Sequence, residues 1–227
     1  MTASHRDPRE DTAMDPFIKH RVEDGVGYLT LADPARRNAM TADLVGQALA
    51  AHQALADAGA RVGVLAAEGP VFCAGGDLKA KRVPGVPPAG VTLIDTFTAS
   101  PLLWIAAVSG PALGAGIQLA ATAARIVIAD DAWFCVPEFR HGRYPRPVVA
   151  ALAEIIGPRR AMRMMMTGEK VPAAEAVRIG LAERAVPAAD LAKTVAEEAR
   201  ALAELPPQAL EAARDAWHVR FGTRPNP

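Results

Sequence analysis

Residues 104–138 decide the fold: W-I-A-A-V-S-G-P-A-L-G-A-G-I-Q-L-A-A over 104–121, then, after T-A-A, R-I-V-I-A-D-D-A-W-F-C-V-P-E over 125–138. The stretch reads as an apolar strand, a glycine turn, the start of a helix built from small residues, and another strand that ends on a lone carboxylate. Gly110, Gly114 and Gly116 mark a passage from strand to helix where the backbone turns tightly and something comes close to it. The first turn of a helix leaves N–H groups without partners, and such groups bind developing negative charge. Tight packing is the other use of the same glycines.

Working outward, the pattern occurs twice. R-V-G-V-L-A-A (61–67) reads as a buried strand, and G-P-V-F-C-A-G-G-D-L-K (69–79) is a second glycine-rich bend behind it. Upstream, residues 26–31 read as a strand following a polar leader, and 33–38 as a loop. Thr41 caps a helix whose apolar positions Leu44, Val45, Ala48, Leu49 and Leu55 recur at helical spacing until Gly59 stops it. The proline-rich residues 80–100 read as a loop or lid followed by a short helix. Beyond Glu138, helices are expected over 147–156, 158–166 and 172–179, with the methionines of R-R-A-M-R-M-M-M (159–166) filling core. A short strand near 182–186 leads to helices over 189–204 and 206–219, which the tail F-G-T-R-P-N-P (221–227) cannot continue.

Composition limits what such a chain does. The 227 residues suffice for one large domain, and 25 basic side chains balance 25 acidic ones, so no net field draws it to nucleic acid or an anionic membrane. No stretch approaches the roughly 20 apolar residues that span a bilayer. Residues 1–15 read as a disordered polar leader without the apolar segment of a secretory signal. Two cysteines, Cys73 and Cys135, are too few for a disulfide framework and read as small core residues of a cytoplasmic protein.

Taken together, R-R-N-A-M (36–40), F-C-A-G-G-D-L-K (72–79), A-A-V-S-G-P-A-L-G-A-G-I-Q-L-A (106–120), P-E-F-R-H-G (137–142) and T-G-E-K-V-P-A-A-E-A-V-R-I-G-L (167–181) resemble the enoyl-CoA hydratase/isomerase, or crotonase, family. The resemblance implies an α/β fold, a crotonase-like spiral of ββα units with a shortened helical C-terminal region. Residues 16–186 would form the acyl-CoA-binding core and 187–227 the C-terminal helical segment, truncated relative to the family. It further implies a homo-oligomer, trimer or hexamer, weakened by the missing helices. No cofactor is expected beyond the coenzyme A carried by the substrate, and no metal.

The same resemblance supplies roles. Two backbone N–H groups, carried over to Ala74 and Ala115, would form an oxyanion hole for the thioester carbonyl, and Glu138 would handle protons. Coenzyme A would lie along Arg36, Arg37 and Ala39 and the backbone at Gly76, Asp77 and Leu78, with Gly114 in the second bend. His141 and Tyr144 lie near Glu138 in sequence.

Hydratases of the family hold water between two glutamates, whereas this chain has Gln118 at the first position. An amide orients a water but cannot take its proton. The single carboxylate resembles the family's 3-enoyl to 2-enoyl isomerases, which makes enoyl-CoA isomerisation the first expectation. The alternatives are a hydratase in which Gln118 positions water, a non-catalytic binder of acyl-CoA or of an acyl group on a carrier protein, and a biosynthetic decarboxylase. After the P-E pair, this chain has Y-P-R-P-V-V-A-A-L (144–152) where the family's hydratases carry a glycine-rich run, and by that resemblance its bulkier residues would narrow or reshape the acyl end. Neither bend satisfies the dinucleotide pattern G-x-G-x-x-G, and Ser109 lacks the G-x-S-x-G setting of a hydrolase nucleophile.

Overall fold

The computed structural model describes residues 16–81 and 83–219. The leader 1–15 and the tail 221–227 lie outside the described residues.

The chain begins with a hairpin that the sequence reading missed in half. Strand β1 (Ile18–Glu23) pairs antiparallel with β2 (Val26–Leu31) across Asp24 and Gly25, both at positive φ. Asp-Gly is the two-residue loop whose twist suits a hairpin. β1 buries only its first residue, so its sequence I-K-H-R-V-E gives no apolar alternation to detect. Its exposed basic and acidic side chains suit an edge strand.

Helix α1 (Ala42–Asp57) follows a 3-10 turn at Pro34–Arg36, and Thr41 Oγ1 accepts from Leu44 N at its start. The chain then forms β3 (Val62–Ala67), α2 (Ala89–Thr98) and β4 (Leu103–Val108), every residue of β4 being buried. A run of continuous burial is what a central parallel strand requires.

The 125–138 stretch is not one strand. It breaks at the exposed pair Asp130 and Asp131 into β6 (Arg125–Ala129) and β7 (Trp133–Cys135), with β5 (Ala112–Leu113) and α3 (Ala115–Ala121) preceding them. Two adjacent carboxylates cannot enter an apolar sheet unpaired, so the chain turns at the surface and re-enters elsewhere.

Then come α4 (Arg146–Ile156), α5 (Pro158–Thr167), β8 (Val171–Pro172), α6 (Ala173–Arg178), β9 (Arg184–Val186), α7 (Leu191–Ala203) and α8 (Pro207–Val219). A six-stranded sheet has the order β1-β2-β3-β4-β6-β9 and is parallel beyond β1; a small second sheet has the order β5-β7-β8. β5 follows β4 and β7 leads into Glu138, so the second sheet holds both ends of the passage between them.

The methionine expectation needs correction. α5 buries Ala161 and Met164, but Met162 and Met166 are exposed, and with Pro158 and Arg159 they border an open depression of about 450 Å³ on one face of that helix. Both cysteines are buried and unpaired, as expected of small core residues.

Candidate active site

The first glycine bend rests on the R-R-N-A-M segment. Asn38, fully buried, donates through Nδ2 to the carbonyls of Glu68 and Val71 (3.0 and 2.8 Å), while its Oδ1 accepts from Asp33 N (2.8 Å). Its own carbonyl accepts from the Cys73 thiol at 3.1 Å. Arg37 and Asn38 are both left-handed, which turns the segment so that Ala74 N donates to Arg37 O (3.0 Å) and Met40 N to Gly75 O (2.9 Å).

That geometry corrects one assignment. The Ala74 amide is spent on Arg37 and so is unavailable to a ligand. Gly76, two residues on, has no backbone carbonyl on its N–H among the described residues, and the same holds for Ala115.

The two bends touch. Phe72 N donates to Pro111 O (3.0 Å) and Leu113 N to Cys73 O (2.9 Å), so 72–73 runs beside 111–113 as a short parallel bridge. A Cβ on Gly75 would lie 2.8 Å from Leu113 O and 3.4 Å from Ala115 N, and one on Gly116 would strike Cys73 O. Both glycines are there for close approach.

Gly114 opens α3 at φ 50° and ψ −117°, a conformation closed to side chains, and its N–H donates to Cys135 O (2.9 Å). A Cβ at this position would fall on Oε1 of Glu138. The carboxyl therefore lodges against the second bend.

Glu138 starts a 3-10 turn (Glu138–His141) directly after β7 and Pro137. Its Oε2 is buried with no hydrogen-bond partner among the described residues. Burial pushes its proton affinity above the usual carboxylate range; its own backbone N–H, then Arg143 and His141, oppose that rise. Gln118 stands one helical turn after Ala115 and is half-buried, among the buried Ile117, Leu119 and Ala120.

A family model for enoyl-CoA hydratase/isomerase matches residues 21–225. The chain belongs to this family. It is similar to the probable enoyl-CoA hydratase echA6 of Mycobacterium tuberculosis, with 35% identity over 174 residues covering 76% of this chain and 72% of that protein. Among solved structures it resembles an enoyl-CoA hydratase subunit of Geobacillus kaustophilus (TM-score 0.84, 33% identity, 91% of this chain and 83% of that one). It also resembles a monofunctional enoyl-CoA isomerase of Mycobacterium smegmatis (TM-score 0.79, 30% identity, 91% and 95%). Its fold is thus the α/β crotonase fold.

Within this crotonase-family site the remaining expected residues fare differently. Arg36 binds Asp33 (Nε to Oδ2, 2.6 Å) and lies over the Phe17 ring, so its guanidinium already serves the loop; Arg37 is exposed on the same turn. Ala39 is half-buried and donates to Arg36 O, and Asp77 Oδ1 accepts from Lys79 N. Leu78 and Tyr144 are each 71% exposed, and Tyr144 packs edge-on against Phe139. Neither His141 nor Tyr144 hydrogen-bonds to Glu138 among the described residues; the reach of His141 is electrostatic. Among the described residues no group of three or more His, Cys, Asp or Glu is arranged to hold a metal ion, and no helix is long and apolar enough to cross a membrane.

Sequence reasoning passed over Asn38 as a brace and the Thr167-Gly168 corner, whose carbonyls accept from Arg140 and Cys135 on either side of Glu138. The T-G pair closing a helical run was the available signal for the corner. A buried asparagine in a loop carries no periodic signal at all.

Proposed function

We infer that this crotonase-family enzyme moves a proton along an acyl-CoA thioester with Glu138 as its one acid-base group, converting 3-enoyl-CoA to 2-enoyl-CoA. The observation that carries the reading is the Glu138 carboxyl seated against the Gly114 bend with one buried, unpaired oxygen, where the first position of the water-holding pair is the amide Gln118. In this reading the thioester oxygen accepts from the N–H groups of Gly76 and Ala115. Glu138 takes a proton from C2, and the C2–H electrons flow toward the carbonyl to give a dienolate. The same carboxyl returns the proton to C4, so the C3=C4 double bond becomes C2=C3 and no atom is gained or lost. Each oxyanion donor contributes about 3 kcal/mol in a dry site. A carboxyl whose proton affinity is raised by burial is a stronger base than an exposed one and can still hand the proton back.

The names of several relatives, probable enoyl-CoA hydratases, favour a second reading, hydration of 2-enoyl-CoA with Gln118 orienting the water. The two readings separate on mass. Incubation with 3-enoyl-CoA should give the conjugated thioester without uptake of water, and in D₂O any deuterium that enters by exchange of the Glu138 proton should lie at C4; a product heavier by one water overturns isomerisation. Glu138→Gln should lower turnover by about 10²–10⁴-fold while acyl-CoA still binds. No further cofactor enters this scheme. The same proposal places the enzyme in a reducing cytoplasm, supported by the two buried free thiols, as a trimer or hexamer, which light scattering would show as three or six monomer masses.

A further inference from the structure

Two side chains flanking Glu138 reach the same corner of the molecule. Three residues before it, Cys135 Sγ donates to Gly168 O at 3.3 Å; two residues after it, Arg140 Nε donates to Thr167 O at 2.7 Å. Carbonyls in the last turn of a helix lack helical partners, and a guanidinium there also complements the negative end of the helix. The corner is shaped for this. Gly168 caps α5 at φ 54° and ψ 31°, and a Cβ on it would lie 2.8 Å from Arg140 Nε and 3.0 Å from Arg140 Cδ. The corner is also fixed from its own side, since Thr167 Oγ1 donates to Arg163 O and accepts from Glu169 N, and Arg163 forms a two-pronged pair with Glu169 (2.8 and 3.2 Å).

We propose that the Thr167-Gly168 corner is a clamp, and Arg140 a positioning residue, that holds the Glu138 turn so that its carboxyl stays over the Gly114–Ala115 bend. The proposal rests on Glu138 being the proton-transfer group. Arg140 acts through its bond to Thr167 O, whereas the cations that lower the Glu138 proton affinity are Arg143 and His141. Arg140 is exposed, so its loss leaves the core untouched.

The test compares Arg140→Met, which keeps an aliphatic stem without the donor, with Arg140→Lys, which keeps a donor, using 3-enoyl-CoA as substrate. Arg140→Met should lower kcat about tenfold with KM within twofold, an unchanged melting temperature and an unchanged acid-limb midpoint in the pH–rate profile; Arg140→Lys should restore most of the loss. Arg143→Met should instead move that midpoint upward, because it removes a charge that favours the ionised carboxyl. Wild-type kcat in Arg140→Met while Glu138→Gln is inactive overturns the clamp alone. Full turnover by Glu138→Gln overturns the reading of Glu138 and the clamp with it. A fall in Arg140→Met that Arg140→Lys does not relieve assigns Arg140 to packing and also overturns the proposal.

Discussion

Glu138 is held in a state that costs stability and serves chemistry. Its folded-state proton affinity is raised, chiefly by burial, so the stability it contributes in acid is lost as pH rises through the folded value. Glu138→Gln should therefore be at least as stable as wild type at pH 8, with the gap closing toward pH 4, even as turnover collapses; urea titrations at the two pH values check this. Gln118 is the residue that separates this site from a two-carboxylate one. Gln118→Glu should gain hydration of 2-enoyl-CoA by tenfold or more, read as loss of conjugated-thioester absorbance with uptake of one water. Gly114 is constrained twice, by its backbone and by the carboxyl that occupies the place of a Cβ. Gly114→Ala should cost about 1–3 kcal/mol in backbone strain and abolish turnover by displacing Glu138. A variant with wild-type kcat would separate the carboxyl from the bend.

At the scale of elements, the end of α2 and the start of β4 are tied to α1 by a buried polar knot. Ser100 Oγ accepts from Trp104 Nε1 (2.7 Å) and Leu102 N (3.1 Å), and pairs with His52 Nε2 at 2.8 Å. With two donors already on Ser100, its own hydroxyl hydrogen is best placed on His52 as an acceptor, which makes the imidazole neutral. The His52 ring stacks on Trp104 and tilts against Phe97. Burial lowers its proton affinity below the free value of about 6.5, so the neutral ring favours the fold above that pH and the contribution is lost as pH falls below it. His218 shifts the same way, for the same first reason. His52→Phe should flatten, without abolishing, the loss of stability between pH 7.5 and 5.5, measured by chemical denaturation; an unchanged slope assigns the effect elsewhere.

For the whole molecule, the site is assembled from segments that are distant in sequence, and Asn38 is the joint between them. It links the loop before α1 to residues 68–73, which then run beside 111–113 and so fix where the second bend lies. Asn38→Ala strands two part-buried carbonyls and the buried Asp33 N–H and should cost on the order of 3 kcal/mol. It should also lower kcat, because the first bend loses its bed; circular-dichroism melts and turnover measured on the same preparation test both halves.

The sequence by itself determined the alternation of strand and helix, the two glycine bends, the Thr41 cap and the carboxylate at 138, because each is written in local periodicity, a turn residue or a capping side chain. It also carried the family, through motifs spread along the chain. Only the tertiary structure decided that the 125–138 stretch is split between two sheets, that the Ala74 amide is already taken by Arg37, and that Cys135 and Arg140, on either side of Glu138, bond to Gly168 and Thr167. Those outcomes depend on which groups meet across gaps of 27 or more residues or across sheet boundaries. A hydrogen bond between distant segments leaves no periodic trace in either of them.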